Sequence, residues 1–409
     1  MRILLLSPVA IIGGAERVLL QCLTALQKQG IEASLLAFEE KGPLLDQARK
    51  LGHSAIGLPL PNGLTGWGES DKRSNSLWRN WCKFLVHGVT CLPGLYRFRN
   101  QLCQAIRDAR PDIIHASGIK THLLAGVARS PRVPIVWHVH DFYGSRPLTA
   151  QLLRGIRRSA RAAIAISRAV AVDLKRVLPG LRTHVVSNTI DVEQFSPGEV
   201  SGAELDRLAG LPSLPEGSFR VGLVATYALW KGHHVFLKAA QEFFQRPRST
   251  PARWYIIGGP IYRTRSQLSL AELQTAAQDL GLGDHVGFIP FQSNPATIYR
   301  SLDVVVHAST LPEPFGLTIA EAMACGRPVV VSNAGGASEL FVPDVEALGV
   351  KPGDVPGLSR AVGRLYDDPN LRHQLGVAAR ERALRDFHPA RLGDQLEAVY
   401  RSCLMVRES

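Results

Sequence analysis

Apolar and polar positions along this chain are grouped in blocks. Strand candidates rich in apolar residues at 3–6, 32–37, 112–115, 135–138, 162–166 and 183–186 are separated by longer stretches with helical spacing. The first of these stretches repeats apolar side chains at Val18, Leu19, Cys22, Leu23 and Leu26, which share one face of a helix. A run that is apolar at every position is covered on both faces, and strands separated by helices form parallel βαβ units. The rhythm stops after Phe195 at Ser196, Pro197 and Gly198, and residues 198–218 are rich in Gly, Pro and Ser. It restarts with runs at residues 219–225, 254–258, 285–289, 304–308 and 328–332. The pattern predicts an α/β chain of two doubly wound domains, residues 1–197 and 219–385, joined by a linker at 198–218. The tail at 370–407 has helical spacing, and its last part, 386–409, is expected to pack back across the domain boundary. Two such sheets direct their strand ends toward one interdomain cleft, where ligands of these folds bind.

Length agrees with this division, because 409 residues exceed what a single hydrophobic core organises. Charge adds an asymmetry. Of a net +12, residues 72–110 contribute eight basic side chains against Asp108, and residues 146–182 contribute nine against Asp173. Trp78, Trp81, Phe84 and Leu85 accompany the first stretch, and Leu152, Leu153 and Ile156 stand beside Arg154, Arg157, Arg158 and Arg161 in the second. Cationic amphipathic segments of this kind suit an anionic membrane surface. No nucleic-acid-binding motif accompanies the charge, so nucleic acid is not an expected partner. The six cysteines are widely spaced and form no CxxC pair, which fits reduced thiols in the cytoplasm. The opening apolar run leads directly into Gly13, Gly14 and an amphipathic helix, and is read as a buried strand, not a targeting segment.

The strongest chemical signal is the run from Pro312 to Pro328. Glu313 precedes Pro314 and so avoids the helical region, whereas residues 316–325 read as a helix ended by Gly326. Phe315, Gly316, Leu317 and Thr318 then form a helix start whose free amides and positive dipole end suit a diphosphate. Glu321 follows about two turns on, placing one carboxylate before the helix start and one within the helix.

Glu313 and Glu321, with seven residues between them in the Glu313, Pro314, Phe315, Gly316 context, resemble the E-x7-E signature of retaining glycosyltransferases of the GT-B fold, sequence family 4. The resemblance covers most of the chain. It includes Gly13 to Glu16 after the first strand, His138 to Asp141, Ile166 with Ser167, Ser187 to Asp191, Trp230 to Gly232, and Gly335 to Glu339. It implies two Rossmann-like domains, the first holding an acceptor and the second a nucleotide sugar.

Carried over residue by residue, the resemblance gives Glu313 the donor sugar, Glu321 the ribose, and Phe315 to Thr318 the sugar and diphosphate. Lys231 binds the diphosphate, His140 enters from the first domain near the transferred sugar, and Gly13 and Gly14 approach the diphosphate or sugar. His140, Glu313 and Lys231 are thus the catalytic candidates. His115 and His138 are read as strand caps, and Asn188 and Asp191 as turn formers. The chain has no Asp-x-Asp, the motif with which the other major transferase fold holds a metal, so no metal or other cofactor is expected. The partners implied are a UDP- or GDP-sugar donor and a glycan or lipid-linked acceptor, with peripheral docking on the inner face of the membrane. One departure stands out: the family usually carries an arginine five residues before the lysine, and here that position is Thr226. It motivates a non-catalytic nucleotide-sugar-binding subunit as the alternative, with a nucleotide-sugar epimerase of the same architecture behind it.

Overall fold

The computed structural model describes residues 1–61, 77–128, 133–260 and 267–405, and the side chains of residues 77–92 fall outside that description. The side chains of Trp78, Trp81, Phe84 and Leu85 therefore lie outside the described residues. The chain folds as two compact units, Met1–Thr189 with Pro389–Ser409, and Ile190–His388.

The first unit contains β1 (Arg2–Ser7), β2 (Glu32–Ala37), β3 (Ala55–Gly57), β4 (Ile113–Ser117), β5 (Ile135–Val139), β6 (Ala160–Ala165) and β7 (Thr183–Val185). They form one parallel sheet in the order β3-β2-β1-β4-β5-β6-β7. The second unit contains β8 (Phe219–Val224), β9 (Ala252–Gly258), β10 (Val286–Pro290), β11 (Val304–His307), β12 (Val329–Ser332) and β13 (Leu348–Val350), in the order β10-β9-β8-β11-β12-β13. Every strand predicted from an apolar run is present within two residues at either end. The short edge strands β3 and β13 were not predicted, because three residues do not establish a period and Ile56 at the edge is half exposed.

In each sheet the strand order reverses once, between β1 and β4 and between β8 and β11. Loops leaving the carboxyl ends of adjacent strands there diverge to opposite sides and leave a crevice, the usual ligand position in open α/β sheets.

Two stretches differ from the sequence expectation. The first unit extends to Thr189, not 197, and residues 198–218 are not a free linker: they contain the helix Ala203–Leu208, which belongs to the second unit. Its Asp206 is fully buried, accepting hydrogen bonds from Arg220 Nη2 at 3.0 Å, from the Leu214 amide at 3.1 Å, and from Arg253 and Tyr255. Composition indicated a loop, but a buried carboxylate with two arginines anchors the segment to β8 and β9. At the other end of the chain, the helix Ala390–Met405 buries Leu396, Val399, Tyr400 and Cys403 and packs on the helix Gly14–Lys28. Their close approach requires Gly393, where a Cβ would stand 2.9 Å from the Ala25 carbonyl oxygen.

Removing one member of a buried ion cluster leaves the others uncompensated, a cost of about 3–5 kcal/mol. Asp206→Ala should therefore lower stability by about that amount in urea unfolding; a loss below about 1 kcal/mol, the size of an exposed pair, would contradict the anchoring role.

Candidate donor site and the histidine ladder

The donor-side residues assemble at the reversal point of the second sheet. Beyond β8, the turn Leu229–Lys231 brings Trp230 against the loop that follows β11, where the Trp230 carbonyl accepts the Thr310 amide at 2.8 Å and the Thr310 hydroxyl at 3.2 Å. Gly232 makes this approach feasible. Its φ is +75°, and a Cβ there would lie 1.8 Å from the Ala308 carbonyl oxygen. Lys231 is thereby directed across the reversal point, with Nζ 2.7 Å from Glu313 Oε2 and 4.1 Å from the centre of the Trp230 ring.

Two residues that the sequence reading missed complete the carboxylate's surroundings. His307 Nε2 lies 3.1 Å and Ser309 Oγ 3.0 Å from the same Glu313 oxygen. The available signal was their position at the end of β11, six and four residues ahead of Glu313. The Glu313 backbone is held as firmly: its carbonyl accepts the Gly336 amide at 2.7 Å, and at Gly335 (φ +69°) a Cβ would stand 2.6 Å from that carbonyl oxygen. Burial by itself would raise the Glu313 pKa, but the Lys231 charge and the His307 hydrogen bond outweigh it and hold the carboxyl well below its ordinary value. The three bonds all fall on Oε2, and Oε1 makes none among the described residues.

The helix predicted after Glu313 runs Leu317–Ala324, with Gly316 as its N-cap at φ +106°. Its first turn carries no acidic residue, so the amides of Leu317 and Thr318 keep their full positive character. Both residues are half-buried, whereas Phe315 is buried edge-on against Phe387 at 5.9 Å. Glu321 is buried and accepts a hydrogen bond from the Tyr299 hydroxyl at 2.8 Å. Thr226 lies half-buried beyond β8 and contributes no charge.

In the first unit the glycine loop departs from expectation. Gly13 caps the helix Gly14–Lys28, but its amide donates to Glu16 Oε2 at 3.0 Å and is not free. The carboxylate three residues into the helix closes a capping box, a local competitor for any anion. Gly14 is exposed. Asp191 does form a turn, accepting the amides of Glu193 and Gln194 at 3.0 Å each.

His140 stands half-buried just beyond β5, its Nε2 3.0 Å from Ser117 Oγ. The surrounding protein still pulls its pKa down to about 4 by desolvation. His115 and His138 do not cap strands: both lie within fully buried strands, β4 and β5, where His115 Nε2 meets His138 Nδ1 at 3.0 Å and His115 Nδ1 meets the Tyr400 hydroxyl at 2.7 Å. Polar side chains inside such strands are tolerated because each pairs with another. The sequence pattern could not show this, since the partners are 23 and 285 residues apart.

Among the described residues no cluster of His, Cys, Asp and Glu could hold a metal ion, and no helix is long and apolar enough to cross a membrane. The cysteines Cys22, Cys103, Cys325 and Cys403 are free thiols.

Comparison with known proteins agrees with this architecture. The model for glycosyltransferase family 4 matches residues 12–194, and that for glycosyl transferases group 1 matches residues 212–382. A D-inositol 3-phosphate glycosyltransferase from Catenulispora acidiphila is 28% identical over 316 residues, 72% of each chain. A GDP-mannose-dependent phosphatidylinositol monomannoside mannosyltransferase from Mycolicibacterium smegmatis is 28% identical over 64% of this chain and 68% of its own. The inositol-phosphate enzyme of Corynebacterium urealyticum is 32% identical, with the match spanning about half of its length (51%). Among solved structures, Anabaena Alr3699/HepE in complex with UDP-glucose superposes with a TM-score of 0.79 at 23% identity, over 98% of this chain and 100% of that one. A sucrose-phosphate synthase from Thermosynechococcus elongatus gives 0.77 at 20%, over 99% and 100%; at such identities the likeness establishes the fold. Two parallel sheets, each with one reversal of strand order, the E-x7-E segment around a helix start, and models matching both halves place this chain in family 4 of the glycosyltransferases, with the GT-B fold.

Proposed function

We propose that the chain transfers a sugar from a UDP- or GDP-sugar to an acceptor hydroxyl, with retained anomeric configuration and without a metal ion. The observation that carries this reading is the Lys231 to Glu313 pair across the reversal point of the second sheet, beside an acid-free helix N-terminus. A departing nucleoside diphosphate gains negative charge as its glycosidic bond breaks. A fixed ammonium and outward-facing amides stabilise charge that develops only then, and so lower the barrier more than they tighten ground-state binding. Such groups supply what a divalent cation supplies elsewhere.

Glu313 has a matching role. Its Oε2 is held by three donors, so the carboxylate is fixed before the donor arrives and its Oε1 remains an acceptor for a sugar hydroxyl. Glu321, ionised or not, accepts from Tyr299 and is assigned to the ribose by resemblance. His140 is assigned a polar contact to the transferred sugar, and the leaving phosphate accepts the acceptor's proton. Printed names of relatives, among them a GDP-mannose-dependent enzyme and inositol-phosphate transferases, and the UDP-glucose in the Anabaena structure support a nucleotide-sugar donor.

For the acceptor we propose a lipid-linked or envelope glycan reached at an anionic membrane. Leu153 of the second basic stretch proves to be core, and Arg154 and Arg157 are bonded to the carbonyls of Val177 and Pro179. Arg158, Arg161, Arg168, Lys175 and Arg176 remain exposed, together with Leu152 at 40% and Val172 at 68%. Exposed cations with apolar side chains between them are the composition a membrane surface selects.

Three outcomes are expected. Incubated with UDP- and GDP-sugars, acceptors and excess EDTA, the chain should release nucleotide; binding without release would favour the non-catalytic subunit, and an altered sugar still joined to nucleotide an epimerase. Lys231→Ala should lower turnover roughly 10²- to 10³-fold, the usual effect of removing one transition-state donor, and turnover equal to the parent's would sink the diphosphate role. The chain should sediment with phosphatidylglycerol vesicles at low salt and be released at high salt, since screening weakens surface attraction; no sedimentation at low salt would rule out the membrane reading.

A further inference from the structure

The role proposed for His140 leaves open which of its ring nitrogens carries the proton, and the first unit contains a hydrogen-bonded ladder that decides it. The inference rests on that role. On one face of the sheet, β4 presents His115 and Ser117, and β5 with the residue beyond it presents His138 and His140. The lower rung is His115 Nε2 to His138 Nδ1 at 3.0 Å, and its foot is the Tyr400 hydroxyl, 2.7 Å from His115 Nδ1. The upper rung is Ser117 Oγ to His140 Nε2 at 3.0 Å. The rungs touch where the His138 and His140 rings meet, with centroids 4.1 Å apart.

Proton positions follow from which groups must donate. On the lower rung either direction leaves one buried donor unmet, the Tyr400 hydroxyl or His138 Nε2–H, so that rung has no single preferred tautomer. The upper rung differs, because there one direction meets every buried donor, and leaving a buried donor unmet is the costlier arrangement. Ser117 is 2% exposed, and its hydroxyl has one partner, His140 Nε2. Nε2 of His140 is therefore the acceptor and the proton sits on Nδ1, the nitrogen that makes no hydrogen bond within the described chain.

Neutrality is well supported. Desolvation, reinforced by the neighbouring rings, lowers the pKa of His115 to about 3 and that of His138 well below the ordinary value, and desolvation brings His140 to about 4. An imidazolium at any of the three positions would sit against the other rings in a dry interior.

We propose that Ser117 is a positioning residue that locks His140 in one tautomer, so that His140 presents an Nδ1–H donor to an oxygen of the transferred sugar. A basic nitrogen is not what faces the ligand. His140 thus neither takes nor gives a proton, in keeping with a leaving phosphate that accepts the acceptor's proton.

The test is long-range proton to nitrogen-15 correlation on the full chain labelled at histidine, at pH 7, with signals assigned by single His→Gln variants. His140 should show a protonated Nδ1 and a bare Nε2. Ser117→Ala should mix the His140 tautomers, whereas Tyr400→Phe, on the other rung, should leave the His140 signals unchanged. With the donor sugar identified, Ser117→Ala should lower kcat about fivefold to tenfold, the worth of one hydrogen bond. A residue of merely structural importance would alter stability and leave the tautomers as they were. A His140 proton on Nε2 in the parent protein, or unchanged His140 signals in Ser117→Ala, would overturn the proposal. Failure of every nucleotide sugar to turn over would overturn the transferase role and not the ladder, so the two can fail separately.

Discussion

The second unit of this protein depends on burying a charge pair. Lys231 and Glu313 are each at least four-fifths buried as side chains, and a carboxylate removed from water is destabilised unless its surroundings replace the lost hydration. The local structure meets that requirement in detail. Two loops leaving opposite sides of the β8 to β11 boundary must bring a lysine, a histidine and a serine onto one oxygen, and their backbones must touch to do so. Gly232 against the Ala308 carbonyl is their point of contact, and Gly335, in the loop after β12, approaches the Glu313 carbonyl; at both a side chain would leave no room. The motif glycines are therefore consequences of the charge pair's geometry as much as its neighbours in sequence.

The first unit handles buried polarity in the opposite way. Four of its histidines, His115, His122, His138 and His140, have lowered pKa values, with desolvation as the leading cause. They remain neutral and satisfy one another, Ser117, Tyr143 and Tyr400 through directional bonds. A neutral imidazole commits each nitrogen to a single role, as donor or as acceptor, whereas a charged pair holds its partners by attraction.

The placement of segments followed less directly from composition. Residues 198–218 have the Gly, Pro and Ser content of a linker, yet Asp206 within them binds Arg220 and Arg253 in the interior of the second unit. One carboxylate with two long-range arginine partners outweighs the local preference of its neighbours. Gly13 likewise has the appearance of an open anion-binding loop, and its amide is taken by Glu16 three residues later.

The order and spacing of apolar runs determined the parallel α/β architecture and the number of major strands, because strand and helix periods are local properties of the chain. The Glu313 to Glu321 segment likewise announced its helix start, since proline and glycine act on their immediate neighbours. Only the tertiary structure decided that Lys231, His307 and Ser309 converge on one oxygen of Glu313. It alone decided that Tyr400 stands at the foot of a ladder leading to His140, and that Asp206 is an anchor. Those facts join residues up to 285 positions apart, and hydrogen bonds between such residues depend on packing that no local pattern encodes.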